Sequence, residues 1–449
     1  MTNKLLLIKN ASIVNEGQIF VGDVLIENDR IKEVGPKISP KTSDTNVLYA
    51  DGKYLLPGMI DDQVHFREPG LTHKADIASE SKAAVAGGIT SFIEMPNTVP
   101  QATTHEVLEE KFEIASKSSY ANYSFMLGGT NDNLKEILKT DAKKVAGIKL
   151  FLGSSTGNML VDNEAVLERI FKSTDLLIAV HSEDEKTIKD NLEQYVATFG
   201  EDIPIMLHPQ IRSSEACYIS TKRIIELAKK TGARLHVFHL STAQEMELFT
   251  NKIPIEDKQI TAEVCVHHLW FSDKDYADKG TLIKWNPAIK SIRHQKALWE
   301  ALLDDRIDVI ATDHAPHTLK EKRQVYTKAP SGAPLVQHAL PAMLDFYKKK
   351  KISLEKIVEK TAHNPALLFQ IEKRGFIREG YYADLVLVDV SRPWTVNKDN
   401  ILYKCGWSPF EGTTFTSRIS HTFVNGNLIY NEGRFNDKIK GKRLTFNRK

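Results

Sequence analysis

The sequence predicts an α/β protein: a (β/α)8 TIM barrel with a small β-sandwich domain built from both chain termini. Three observations predict it. Short β-rich runs alternate with helical stretches through about 300 central residues, the pattern of βα units closing into a barrel. Both ends of the chain instead read as β, with turn signals between the runs. Metal-capable and charged side chains recur at the C-terminal ends of the central runs, the rim where such barrels place their chemistry.

In chain order, residues 5–8, 23–26 and 30–34 are short strands. Asn15-Glu16-Gly17 and Glu27-Asn28-Asp29 mark the turns. Eight runs follow as barrel strands: 58–66, 89–95, 121–127, 147–152, 176–181, 235–240, 259–264 and 307–313. Helices fit between them. Residues 74–86 are stopped by Gly87-Gly88, and residues 218–230 by Gly232. Residues 348–351, the longest charge run, read as a solvated helix end. Residues 383–388 and 422–426 return to β, the latter with a hairpin turn. Neither terminal piece alone is large enough for a stable core. Residues 1–57 and 372–449 are therefore expected to form one composite domain, and residues 58–371 the barrel.

Composition narrows the class. Apolar residues make up 41% of the 449 residues, which excludes disorder and fibrous repeats. Charge is balanced, with 60 Lys+Arg against 58 Asp+Glu, which argues against nucleic acid or an anionic membrane as the main partner. The three cysteines, Cys217, Cys265 and Cys405, are widely spaced and form no CxxC. Neither a disulfide framework nor a cysteine zinc site is expected, and a reducing cytosol is the natural setting. The apolar run at residues 5–8 is too short for a signal-peptide core, and no stretch approaches the ~20 apolar residues of a membrane helix. A soluble, cytoplasmic protein is expected.

The strand ends carry the chemistry. His65 and Arg67 end the first run and Asn97 follows the second. Lys149 lies in the fourth, His181 ends the fifth, His239 lies in the sixth, and Asp313 and His317 close the eighth. Any one of these histidines alone reads equally as a hydrogen-bonded core or loop residue. Lys149, between Ile148 and Leu150, is costly to bury unless paired or chemically altered. Together, metal-capable groups from several strands at one rim are how a barrel assembles a metal site. His267 and His268 follow Cys265. On an extended segment their side chains would point to opposite faces, which favours structural roles. His208 reads as a loop residue.

Several separated motifs resemble the dihydroorotase family of cyclic amidohydrolases. They are Leu56-Pro57-Gly58-Met59-Ile60-Asp61 followed by His65-Phe66-Arg67-Glu68-Pro69-Gly70, then Met95-Pro96-Asn97-Thr98, and Ala311-Thr312-Asp313-His314-Ala315-Pro316-His317. The resemblance runs along nearly the whole chain. It implies reversible hydrolysis of dihydroorotate to N-carbamoyl-aspartate, a step of pyrimidine (UMP) synthesis. It also implies one or two metal ions, usually zinc, that lower the pKa of bound water and polarise the amide carbonyl. By the same resemblance His65 and Asp313 are ligands of the more buried ion, His181 and His239 of the second, and Lys149 bridges both as a carbamate. Asp313 is the catalytic proton carrier. Arg67 and Asn97 hold the substrate carboxylate, and Asn286 and His317 are further substrate contacts. Residues 330–334 supply backbone contacts near the ring. A small-molecule substrate and a homo-oligomer, a dimer, are implied as partners.

One position departs from the family. The first strand usually ends His-x-His, and here it reads Gln63-Val64-His65. A neutral amide oxygen binds zinc less readily than imidazole. The buried ion is then weakly held, exchanged for another, or absent; alternatively Gln63 only hydrogen-bonds nearby. Two other readings stay open: a dihydropyrimidinase-like or allantoinase-like cyclic amidohydrolase, which has no evident use for Arg67 and Asn97, and a non-catalytic homologue, supported by Gln63 alone.

Overall fold

The computed structural model describes residues 4–40, 42–153 and 159–448. The chain opens with an antiparallel meander of β1 (Leu5–Asn15), β2 (Gln18–Glu27) and β3 (Arg30–Gly35). β4 (Asn46–Tyr49) and β5 (Tyr54–Pro57) run parallel to β1. Eight strands then follow in the middle of the chain: β6 (Met59–Val64), β7 (Ile89–Glu94), β8 (Asn122–Gly128), β9 (Gly147–Phe151), β10 (Ile178–His181), β11 (Leu235–Val237), β12 (Ile260–Cys265) and β13 (Val309–Ala311). Each pairs in parallel with the next. The circle closes where Val64 pairs with His314 just beyond β13, and His65 N donates to His314 O at 2.7 Å.

Period-two alternation sorts the barrel strands into two faces. Ile148 and Leu150, Ile178 and Val180, and Leu235 and Val237 join the large core under the helices. Ile60, Ile93, Met126, Ala179, Phe238 and Val309 form a separate cluster with Phe369, Ile371 and Leu444, which floors the lumen. The lumen side of the strand tips is thereby left to polar side chains.

Helix starts are set by caps that periodicity does not register. The first barrel helix runs Ile77–Ala86 rather than from Lys74, because the Asp76 carboxylate accepts from Ser79 N at 2.7 Å. The helix before β11 begins at Ser214, four residues before the expected start, with the Ser213 hydroxyl accepting from Ala216 N. It ends at Gly232, whose φ of 78° is the left-handed value that closes a helix.

The C-terminal strands are β14 (Leu385–Asp389), β15 (Trp394–Thr395), β16 (Thr414–Phe415), β17 (Arg418–Val424), β18 (Asn427–Asn431) and β19 (Arg434–Phe435). β5 pairs with both β1 and β14, so the two chain ends share one nine-stranded sheet. The β2–β3 end comes round to the segment before β14, where Ile31 N donates to Tyr381 O and Ala383 N to Asp29 O. Ile8, Ile13, Val24, Leu55, Leu385 and Phe423 fill the space between the two halves. The alternate residues Leu56, Val386 and Val388 pack on the barrel core. No helix among the described residues is long and apolar enough to cross a membrane.

Candidate active site

A cavity of about 260 Å3 opens at the C-terminal rim of the barrel. Gln63, His65, Arg67, Asn97, Lys149, His181, His239, Asn286 and Asp313 all line it. Nine of the ten residues singled out from the sequence are therefore brought together. The tenth, His317, sits behind the wall: its Nε2 lies 3.1 Å from Arg67 Nη2 and its Nδ1 3.0 Å from Lys74 Nζ. It packs against the Arg67 side chain rather than lining the cavity.

Local backbone geometry aims these groups. Arg67, His239 and Asp313 adopt positive φ of 70°, 38° and 46°, a region costly for non-glycine residues that persists where surrounding structure enforces it. Each follows a strand end, and the turn swings its side chain over the lumen instead of along the strand.

Burial sets the electrostatics. His65 and His239 are pushed well below the usual imidazole range by desolvation, so their ring lone pairs are available. His65 Nδ1 lies 2.8 Å from Asn97 Oδ1, which can only accept. Its proton is thus on Nδ1, and Nε2 faces Asp313 Oδ1 at 3.2 Å. Asn97, expected as a substrate contact, here also orients His65, as partners of ligating histidines do. His181 Nδ1 and His239 Nε2 are 3.0 Å apart, and His239 Nδ1 is buried without a hydrogen bond among the described residues. Desolvation lowers Lys149 to about 7, against the pull of Asp313 and Glu263. Desolvation raises Asp313 to about 7, against Lys149, His181 and Arg67. Arg67 comes down only to about 10 and stays charged. A cluster of neutral imidazoles, a carboxylate and a lysine poised near neutrality is a donor set that fits metal ions.

Two features escaped the sequence. Arg212 lines the cavity and pairs with buried Glu183, whose Oε2 also meets His181 Nε2 at 2.9 Å. Burial raises the Glu183 carboxyl, but Arg212 and His181 outweigh it and hold it well below its usual range. A carboxylate behind a ligand-capable histidine fixes its ring. Glu183, two residues past His181, was within reach of a motif reading; Arg212 was not, because it arrives from a short helix after β10. Gln63 Oε1 sits 3.7 Å from Cys265 Sγ at the cavity edge.

Two histidine expectations need correction. His267 and His268 lie on a short helix, Val266–Trp270, not on an extended segment, so the opposite-face geometry does not hold. The His267 ring stacks on Trp285 with centroids 4.1 Å apart, and neither histidine lines the cavity. His208 is no loop residue: it opens a short helix, is buried, and bonds Tyr326 Oη at 2.8 Å and Trp285 O at 2.7 Å.

Donors from six strand ends at one barrel rim define a hydrolase with a metal-capable centre. The chain belongs to the amidohydrolase family, whose pattern matches residues 54–429. It is similar to the dihydroorotase of Carboxydothermus hydrogenoformans, with 38% identity over 95% of this chain and 98% of that one. It is also similar to that of Methanosarcina acetivorans, at 32% over 96% and 93%. Among solved structures it is similar to the L-hydantoinase (dihydropyrimidinase) of Arthrobacter aurescens, with a TM-score of 0.92 and 27% identity over 98% of this chain and 99% of that one.

Proposed function

We propose that this protein is a dihydroorotase that hydrolyses (S)-dihydroorotate reversibly to N-carbamoyl-L-aspartate. The observation that carries the reading is Arg67: a buried, charged guanidinium at the wall of the cavity that holds the metal-capable donors. Dihydroorotate differs from the uncharged cyclic amides mainly by a ring carboxylate, and a planar guanidinium fork suits that group. Near full-length similarity to dihydroorotases supports the same substrate.

In this reading Arg67 holds the carboxylate, helped by Asn97 and Asn286, and His317 positions Arg67 from behind. Ser331, whose hydroxyl donates to Asn286 Oδ1 at 2.9 Å, braces that side of the pocket. His65, Lys149, His181, His239 and Asp313 would hold one or two zinc ions. When bound, zinc polarises the ring carbonyl and lowers the pKa of water. Asp313 takes a proton from the attacking water and returns it to the ring nitrogen as the carbon–nitrogen bond breaks. Lys149 serves as a carbamate: its neutral amine forms an N–C bond to carbon dioxide and releases a proton, which turns a repelling ammonium into an anionic pair of oxygens. Gln63 is a poor zinc donor beside these. The protein is expected as a cytoplasmic homodimer.

The likeness to hydantoinases favours a second reading, hydrolysis of uncharged cyclic amides. Dihydroorotate, dihydrouracil and hydantoin hydrolysis, measured on one preparation alongside metal content per chain, separates the two. Faster turnover of the uncharged rings would sink the dihydroorotase reading.

A further inference from the structure

Deeper in the barrel lies a second group of metal-capable side chains that the proposed catalysis does not use. Asp62 on β6, His236 on β11 and Glu263 on β12 are all fully buried. β6 borders neither β11 nor β12, so these side chains can meet only across the lumen. One donor atom from each lies within 4.8 Å of the other two. Asp62 and His236 precede cavity-lining positions, Gln63 and His239, on their own segments, and Glu263 precedes Cys265, whose Sγ lies 3.7 Å from the Gln63 Oε1 of the cavity wall.

The spacing fits ligands around one ion. His236 Nε2 stands 3.3 Å from Asp62 Oδ2 and 3.7 Å from Glu263 Oε2. An N–H···O bond spans about 2.7–3.2 Å, whereas atoms held about 2.0–2.2 Å from one tetrahedral ion stand about 3.4 Å from each other. Both Asp62 oxygens, Glu263 Oε2 and His236 Nε2 are buried with no hydrogen bond among the described residues.

The imidazole is also set for ligation. Thr261 Oγ1 donates to Leu235 O at 3.2 Å, so at 2.8 Å from His236 Nδ1 it accepts. Nδ1 therefore carries a proton, and Nε2 faces the two carboxylates, which against desolvation raise the ring to about 9 and so favour a positive charge at this point. Glu263 is fixed as well, because its Oε1 accepts from His239 N at 3.0 Å. Two carboxylates converging on an imidazole nitrogen in a dry lumen need a positive charge among them.

We propose that Asp62, His236 and Glu263 bind a small divalent cation of the zinc or manganese class inside the barrel, apart from the donors at the rim. Two carboxylate oxygens and one imidazole nitrogen suit such ions, while a soft monovalent ion would call for thiolates. The ion neutralises the lumen carboxylates and ties β6, β11 and β12 together beneath the strand ends that carry His65 and His239. The competing occupant is a second proton on His236, making an imidazolium.

Crystals of the whole protein grown with zinc, measured on both sides of the zinc absorption edge, decide between them. The expected map has an anomalous peak among Asp62, His236 and Glu263, distinct from any peak at the rim, and Asp62→Asn removes it. A wild-type map with peaks at the rim only, or with none, overturns the proposal, as does a peak that survives Asp62→Asn. Should that variant not fold, manganese titration of the dialysed protein followed by electron paramagnetic resonance gives a second readout. His236→Gln is expected to bind one ion fewer per chain than wild type; equal stoichiometry overturns the site. Neither outcome depends on which cyclic amide the enzyme hydrolyses.

Discussion

At the scale of single residues, the proposed role of Arg67 separates the two activities. Losing one charge-assisted partner in a buried site costs about 2–5 kcal/mol. Arg67→Lys is expected to lower kcat/KM for dihydroorotate by that amount while leaving dihydrouracil nearly unchanged; equal losses on both would remove Arg67 from carboxylate binding. In the proposed reaction Asp313 carries the proton. Burial lifts its carboxyl to about 7, and bound cations beside it move the value down. The base works ionised, so hydrolysis falls as pH drops through the carboxyl's pKa and Asp313 takes up its proton. Asp313→Asn should cost about 10²–10⁴-fold and erase that acid limb; a surviving limb in the pH–rate profile would move the base elsewhere. Gln63 marks where this chain leaves its family's usual pattern. If it is a poor ligand, dialysis against a chelator strips one rim ion before the other, and Gln63→His slows that loss. Rim ions lost together, with the substitution changing nothing, would restore the view that Gln63 merely fills space.

At the scale of elements, the loops are pinned by close backbone approaches. Helix Ile77–Ala86 ends at Gly87, where a Cβ would stand 2.4 Å from Val336 O and 2.7 Å from Gln337 O. That neighbouring loop also holds His314, through Leu335 N donating to its Nδ1 at 2.8 Å. Gly87→Ala must push the loop away, an overpacking cost of about 1–3 kcal/mol. Urea unfolding should show the loss as a lower midpoint with an unchanged slope; an unshifted midpoint would mean the loop gives freely.

At the scale of the whole molecule, a buried polar joint locks the terminal sheet to the barrel. Asp384, before β14, pairs with Arg374 and accepts from Asn425 N at 2.7 Å and from Asn122 Nδ2, on β8, at 3.2 Å. All four residues are buried. Asp384→Ala strands the Arg374 charge, which costs about 3–5 kcal/mol for a broken buried pair. Calorimetry should show a markedly lower Tm; an unchanged one would mean that water or another acceptor replaces the carboxylate.

Local pattern determined much of this protein. Eight β runs with helices between them, turn glycines and strand-end histidines are all short-range signals, and the barrel, the shared terminal sheet and the strand-end residues of the rim cavity were legible from them. Residues such as Lys149 stood out because a charge in an apolar strand is costly wherever the strand goes. Tertiary structure decided what depends on who meets whom. Arg212 reached the cavity from a helix with no catalytic pattern, and His317, two residues past Ala315 of the cavity wall, turned away to support Arg67. Asp62, His236 and Glu263 lie on strands far apart in sequence and met only when the barrel closed. The physical reason is that periodicity fixes which face a side chain takes, while its partners across a closed lumen are fixed by the stagger of all eight strands together.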